Sequence, residues 1–337
     1  MNQPTHAWLA VEAYRKIALL SETSPGKAKK LEGLKQLLGA NLRDVVVAAW
    51  LPDSLIKDMT YGHVFKNSVY TGGQKERFKL SKKDLKAHLP VHTVTPGVAF
   101  DRVPDAWWDE AYRVKDNGGH LPARVNTLCQ AARDMLRMGD DEVMGLTGVN
   151  PAGAACIAKT LRYSPRNIAM TLWMVSHYIA DAHMPFHCDN RGLASTAKQK
   201  THSEVEDLWG KQVTALFHAD KILSKKPQDI LDAEPPAGSH FACIDFGTDL
   251  DPLKNCGDPW KEAVYICRAS FAASYALVPP SVAAVDDQKK AVGLEDILEK
   301  SNICGEDCFW ELSRAIMADA VNSIAMFWQD VWVDYCS

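Results

Sequence analysis

Apolar residues recur at helical spacing along most of the chain. The two clearest stripes are Leu9, Ala13, Ile17 and Leu20, and then Ile168, Leu172, Val175 and Ile179. Side chains three or four residues apart share one face of an α-helix. The same periodicity appears near residues 27 to 40, 123 to 138, 201 to 217, 258 to 277 and 307 to 334. The pattern predicts an all-α fold, a bundle of many helices.

Residues 64 to 120 break this periodicity, because they contain two glycine pairs, several prolines and few periodic runs. Such a composition favours long loops with room for one hairpin. We interpret this stretch as an insertion in a single domain that spans residues 1 to 337. Trp107 and Trp108, which lie within it, are interpreted as a buried aromatic pair, with insertion into a lipid interface as the alternative.

Composition narrows the classes of protein to which the chain can belong. Apolar residues at 47% and charged residues at 24% are typical of a globular protein, which excludes a disordered or fibrous chain. A net charge of -4 gives no global attraction to nucleic acid. The sequence lacks the roughly 18 to 20 consecutive apolar residues of a membrane span, and its start lacks the features of a Sec signal.

Nine cysteines cannot all pair within one chain, because their number is odd. Cys304 and Cys308 are four residues apart, but no second close pair accompanies them. Loop disulfides or buried free thiols are therefore favoured over a structural zinc site made of cysteines.

The main chemical signal begins in the helical stripe near residue 177. His177 and Asp181 are four residues apart, so their side chains project from the same helix face. Proline disfavours helical geometry in the residue before it, so Pro185 ends this helix and lets His187 fold back beside that face. His183 points away from the shared face, which predicts a structural or second-shell role.

The same spacing recurs at His202 and Glu206 on a following helix. Two such pairs, with His187 between them, form a metal-binding pattern. His6, Asp53 and His63 are further candidates, although no local spacing marks them. Imidazole nitrogens combined with carboxylate oxygens suit zinc in an open catalytic site.

These motifs resemble the zinc-dependent phospholipase C family and its relatives, the single-strand-specific zinc nucleases, which share a helical fold that holds three zinc ions. The matching runs are His177-Tyr-Ile-Ala-Asp181, Met184-Pro185-Phe186-His187 and His202-Ser-Glu-Val-Glu206. The likeness is close over residues 170 to 210 and looser near His6 and between Asp53 and His63.

The resemblance implies which residues hold each zinc ion. The first set is Asp53, His63, His177 and Asp181; the second is His187, His202 and Glu206; and the third is His6, with Asp181 as a bridge and the backbone amine and carbonyl of Met1. In relatives an N-terminal tryptophan supplies those backbone atoms, so Met1 is a departure from the pattern. The long segment between His63 and His177 is another departure.

The resemblance also implies a reaction. Glu206 ends a His-Ser-x-x-Glu motif typical of the phospholipases, whereas the nucleases more often have aspartate. We therefore expect a phospholipase C that cleaves the glycerol-phosphate ester of phospholipids at a membrane surface. Its products are diacylglycerol and a phosphorylated head group, and Asp53 orients or deprotonates the attacking water.

Two alternatives stay open. A zinc-dependent single-strand nuclease would use the same metals but needs a base-stacking pocket and positive surface. A non-catalytic zinc-binding or lipid-binding protein would keep the cluster while the insertion closes the pocket. The resemblance favours a secreted or exported protein, although the sequence shows no Sec signal.

Overall fold

The structure is a computed structural model that describes residues 1–23, 25–58, 61–70, 113–139, 164–190, 201–217, 238–247, 250, 258–278, 293–299 and 305–336. Of these residues, 80% are helical, which confirms the all-α prediction. None of the helices in these ranges is both long and apolar enough to cross a membrane. The single-domain interpretation stays a prediction.

The described α-helices follow one another along the chain with few strands between them. They are α1 (Gln3–Thr23), α2 (Pro25–Ala40), α3 (Val45–Ala48), α4 (Leu121–Gly139), α5 (Pro165–Ala182), α6 (Pro185–Cys188), α7 (Thr201–Leu216), α8 (Pro259–Leu277), α9 (Leu294–Glu299) and α10 (Glu306–Cys336). A 3-10 turn at Leu42–Asp44 precedes α3, and a π-helical turn at Pro52–Ile56 follows it. Every stretch with predicted helical periodicity is a helix.

Helix α5 begins at a capping serine and ends before a proline. Ser164 caps its start, because the side-chain oxygen accepts a hydrogen bond from the N–H of Asn167 at 3.2 Å. Met184, the residue before Pro185, has extended backbone geometry, so the helix cannot continue through it. Helix α5 therefore ends before Pro185, as predicted, and the chain then forms the short helix α6.

The core surrounds α5, which packs against α1, α4 and α10. Large aromatic side chains are buried among the helices, and two of them make hydrogen bonds between helices. Trp328 donates from Nε1 to the carbonyl of Leu172 at 2.9 Å, and Trp209 donates to Ser313 Oγ at 2.9 Å. These bonds fix the mutual rotation of the helices that carry the polar residues described below.

The predicted insertion is described only at its two ends. Strands β1 (Lys66–Tyr70) and β2 (Arg113–Gly118) pair antiparallel, as a hairpin requires. Gly119 follows β2 with φ of 115°, and a side chain there would lie 2.0 Å from the carbonyl oxygen of Val64. Trp107 and Trp108 lie outside the described residues.

Candidate metal centre

The helices and turns bring all the predicted metal ligands to one place. Helix α1 supplies His6, α5 supplies His177 and Asp181, α6 supplies His187, and α7 supplies His202 and Glu206. Asp53 comes from the π-helical turn and His63 from the turn before β1. The ligand atoms form three groups, each within 4.8 Å: His6, Asp53 and His177; His63, His177 and Asp181; and His187, His202 and Glu206. The described metal-competent groups contain no cysteine.

Asp181 is buried at the centre, and its Oδ2 atom faces the first group of histidines. This oxygen lies 2.7 Å from His63 Nδ1 and 3.3 Å from His177 Nε2. Asp53 approaches the same two rings, with its Oδ1 3.4 Å from His63 Nε2 and 3.7 Å from His177 Nε2. Two carboxylates therefore flank two imidazoles.

The other oxygen of Asp181, Oδ1, faces the remaining ligands. It lies 3.4 Å from His187 Nδ1, 3.6 Å from His6 Nε2 and 3.5 Å from the Met1 amine. The Met1 amine also lies 2.7 Å from Glu206 Oε1. Asp181 thus lies between two sets of donors, the position that the resemblance implies for a bridging ligand.

In the third group, the Oε1 atom of Glu206 lies close to both His202 and His187. His202 Nε2 lies 2.9 Å away, on the same face of α7, and His187 Nε2 lies 3.4 Å away. His187 therefore presents one ring nitrogen to Glu206 and the other to Asp181.

The ring of His177 is oriented by a contact that the sequence did not predict. Its Nδ1 atom lies 2.7 Å from the carbonyl oxygen of Ala49 and must donate there, because a carbonyl only accepts. The lone pair of Nε2 therefore faces His63 Nδ1 at 3.0 Å, Asp181 at 3.3 Å and Asp53 at 3.7 Å. Metal-binding histidines are commonly oriented by such a bond from the other ring nitrogen. His6 stacks on this ring with centroids 3.9 Å apart. A backbone carbonyl leaves no signal in a sequence, so only the packing of the turn after α3 reveals it.

Several ring nitrogens at the centre have no hydrogen-bond partner among the described residues. They are both nitrogens of His6, Nε2 of His63 and Nδ1 of His187. Buried polar atoms are seldom left in this state. A metal ion would satisfy the one lone pair that each neutral imidazole carries, so the described groups can hold a metal ion.

The protonation states of most of these residues also suit a metal. Burial alone would raise the pKa of Asp181, but the neighbouring His187, the Met1 ammonium and His177 outweigh it and hold the pKa well below its usual range. Burial lowers the pKa of His187 to about 4 and that of His6 well below its usual value. Carboxylates that stay ionised and imidazoles that stay neutral are the forms that bind metals.

Two groups hold their protons more tightly. Burial lowers the pKa of His63, but the hydrogen bond and negative charge of Asp181 outweigh burial, so the net pKa is raised. Burial likewise disfavours the protonated form of the Met1 amine, yet the negative charges of Glu206 and Asp181 raise its pKa to about 10. A metal ion at these positions must displace a proton.

His183 lies outside the three metal-competent groups. It is buried, and its Nε2 atom lies 2.9 Å from Ser323 Oγ on α10. Burial lowers its pKa to about 3. The ring thus makes an interhelical contact, which confirms the structural part of its predicted role.

Comparisons with protein-family models, with curated proteins and with solved structures found no match to this chain. The family resemblance therefore depends on the quoted motifs, and the fold and the buried cluster stand on their own geometry.

Proposed function

We propose that this chain is a zinc-dependent phospholipase C, in which the three described groups hold zinc. The observation that carries the proposal is the spacing of the ligand atoms around Asp181 and Glu206. Neutral hydrogen bonds place nitrogen about 2.7 to 3.2 Å from oxygen. Two ligands of a tetrahedral zinc site, each about 2.0 to 2.1 Å from the ion, lie roughly 3.3 Å apart.

Four nitrogen-to-oxygen pairs have the longer value: His177 with Asp181 at 3.3 Å, His63 with Asp53 at 3.4 Å, His187 with Asp181 at 3.4 Å, and His187 with Glu206 at 3.4 Å. Two other pairs, His63 with Asp181 at 2.7 Å and His202 with Glu206 at 2.9 Å, have hydrogen-bond length. The donors are nitrogen and oxygen only, a set that supports zinc in an open catalytic site.

Asp53 is the residue that we assign to proton transfer. Unlike the buried Asp181, its side chain is 13% exposed, so a substrate can approach it. Burial is the main reason that its pKa is raised, and a carboxylate oxygen of Asp53 that does not bind metal is left to accept a proton. Asp53 accepts the proton of a water molecule whose oxygen attacks phosphorus while the bond from phosphorus to the glycerol oxygen breaks. That proton then passes to the glycerol oxygen, which leaves as the hydroxyl of diacylglycerol.

Zinc, when bound, supplies positive charge for the phosphate oxygens and acidifies water. The chain's own residues supply the remaining requirements. Asp181 and Glu206 hold negative charge in the buried centre, and the carbonyl of Ala49 fixes the ring of His177. Zinc held by these groups would supply the positive charge that a phosphate ester needs there, which is the chemistry shared by phospholipases C and zinc nucleases.

The surface beside Asp53 favours a lipid substrate over nucleic acid. Leu55 is 74% exposed and Ile56 is 48% exposed, whereas the exposed ring of Tyr61 suits either substrate. Aliphatic side chains enter the acyl region of a bilayer but do not stack on bases as aromatic side chains do. The Glu206 motif, typical of the phospholipases, points the same way.

The experiment compares hydrolysis of phosphatidylcholine and single-stranded DNA by zinc-loaded wild type and His177→Ala. His240→Ala is the matched control, because His240 stacks on Trp310 with centroids 3.9 Å apart and belongs to none of the three groups. We expect release of diacylglycerol by the wild type and the control, and its loss in His177→Ala. Cleavage of DNA alone would show that the protein is a nuclease. Bound zinc without cleavage of either substrate would indicate a non-catalytic binding protein.

A further inference from the structure

Helix α6, which carries His187, is held by the backbone at the start of the inserted segment. The N–H of Phe65 donates to the carbonyl of His187 at 3.2 Å. The ammonium of Lys66 donates to the carbonyl of Phe186. Consecutive residues before and within β1 therefore bind consecutive carbonyls of α6.

Asn67 completes this attachment with a buried side chain. Its Nδ2 group donates one hydrogen bond to the carbonyl of Phe65 at 2.8 Å and another to the carbonyl of Cys188 at 3.2 Å. The backbone carbonyl of Asn67 accepts a hydrogen bond from the N–H of Asn190 at 3.0 Å. Asn67 thus links the residue that binds His187 to the chain that follows His187.

The opposite side of the same segment is held by α8. Ser274 Oγ donates to Asp189 Oδ2 at 2.6 Å, and Ser270 Oγ donates to the carbonyl of Ala182 at 2.6 Å. The segment from the end of α5 to Asp189 is therefore fixed between α8 and β1.

Position matters for His187 because its ring serves two neighbours at once. Its nitrogens lie 3.4 Å from Asp181 and 3.4 Å from Glu206. A shift of α6 toward one carboxylate moves the ring away from the other. Asn67 Oδ1, moreover, has no hydrogen-bond partner among the described residues, so this buried amide carries a cost that a purely space-filling residue would avoid.

We propose that Asn67 is a positioning residue for the metal centre, and that the inserted segment, through β1, sets the metal affinity of the group formed by His187, His202 and Glu206. This inference rests on the proposed zinc centre but not on the substrate. Residues that orient metal ligands change metal affinity by about 10- to 100-fold when they are replaced.

The test measures zinc affinity by competition with a chromogenic chelator, and the visible absorption spectrum after loading with Co²⁺, in Asn67→Ala. Asn322→Ala is the matched control, because Asn322 is equally buried, donates from Nδ2 to the carbonyl of Ala318 at 3.0 Å and also has a partnerless Oδ1 among the described residues. We expect Asn67→Ala to weaken zinc binding about 10- to 100-fold and to alter the Co²⁺ spectrum. The control should lose stability but keep both properties.

If the alanine variant does not fold, Asn67→Thr replaces it in the test. Threonine fills most of the same volume but cannot make both hydrogen bonds, to the carbonyls of Phe65 and Cys188. Unchanged zinc affinity and an unchanged Co²⁺ spectrum in either folded variant would overturn the proposal, as would a wild type that binds no zinc. Because the assay contains no phosphate ester, a wild type that binds zinc tightly but cleaves no phospholipid would refute the proposed function and leave this inference intact.

Discussion

At the scale of single residues, the two carboxylates of the centre have different roles: Asp181 binds metal, and Asp53 accepts a proton. Asp181 is buried, and histidines and the Met1 ammonium surround both of its oxygens, so its charge belongs to the metal centre. Asp53 contacts His63 and His177 from the edge of the cluster and stays partly exposed. Their pKa values shift in opposite directions, which is how one site keeps a permanent anion beside a base.

Replacing Asp53 with asparagine removes the base and leaves the side-chain volume unchanged. We expect kcat for phosphatidylcholine to fall about 10²- to 10⁴-fold, the usual contribution of general base catalysis. Zinc at His187, His202 and Glu206 should be retained, as measured by metal content. Asp44→Asn is the control, because Asp44 pairs with Arg166 at 2.6 Å on the surface; an equal loss of activity there would contradict the assignment.

The opposite pKa shifts of His63 and His187 predict that zinc leaves the centre in two stages as pH falls. A raised pKa means that His63 takes up a proton at higher pH than an ordinary histidine, and a protonated ring cannot bind zinc. The pKa of His187 is about 4, so its ring stays neutral to much lower pH. Zinc content should be measured after equilibration at a series of pH values from 8 to 5. The first zinc ion to be lost as pH falls should be the one that His63 binds. In His63→Ala the early stage should be absent, and simultaneous loss of all zinc would contradict this order.

At the scale of elements, the π-helical turn Pro52–Ile56 serves two purposes. Its first half directs Asp53 toward the histidines, and its second half exposes Leu55 and Ile56. Lys57, which follows the turn, has a left-handed backbone with φ of 55°. A bulky residue in that conformation is uncommon outside turns.

We expect Leu55→Ser to weaken action on phospholipid vesicles without affecting a soluble short-chain phosphatidylcholine. Burial of a leucine side chain contributes about 1.5 to 3 kcal/mol, so the apparent KM for vesicles should rise roughly tenfold or more. Leu19→Ser is the control, because Leu19 is 42% exposed on α1. Equal effects on vesicles and soluble lipid would show that Leu55 does not contact the bilayer.

At the scale of the whole molecule, the centre joins parts of the chain that are far apart in sequence. Met1 lies 205 residues from Glu206, and His63 lies 118 residues from Asp181, yet each pair is in contact. A metal ion bound there connects α1, α5, α6 and α7 in the folded state alone. Its binding free energy is therefore added to the free energy of unfolding.

Zinc should accordingly raise the thermal unfolding temperature. At a free zinc concentration 100 times Kd, each site adds about 2.7 kcal/mol to the free energy of unfolding. Differential scanning calorimetry with zinc, with magnesium and with a chelator checks this. Magnesium should have little effect, because it prefers an octahedral shell of oxygen ligands. An unfolding temperature that zinc does not change would contradict a metal centre in the core.

The helices and half of the centre could be predicted from local spacing. His177 with Asp181, and His202 with Glu206, share helix faces, so periodicity alone brought each pair together. His6, Asp53 and His63 have no such spacing, so residue type alone made them candidates until the family resemblance assigned them to zinc sites. The carbonyl of Ala49 and the side chain of Asn67 could not be predicted, because their contacts arise from packing between segments more than 100 residues apart.

The measurement that tests the central claim most directly is anomalous X-ray scattering at the zinc edge from crystals of zinc-saturated wild type. We predict peaks about 2.0 to 2.3 Å from ligand atoms of His177, Asp181 and Glu206. A saturated protein whose anomalous map shows no zinc in contact with these three residues would contradict the account.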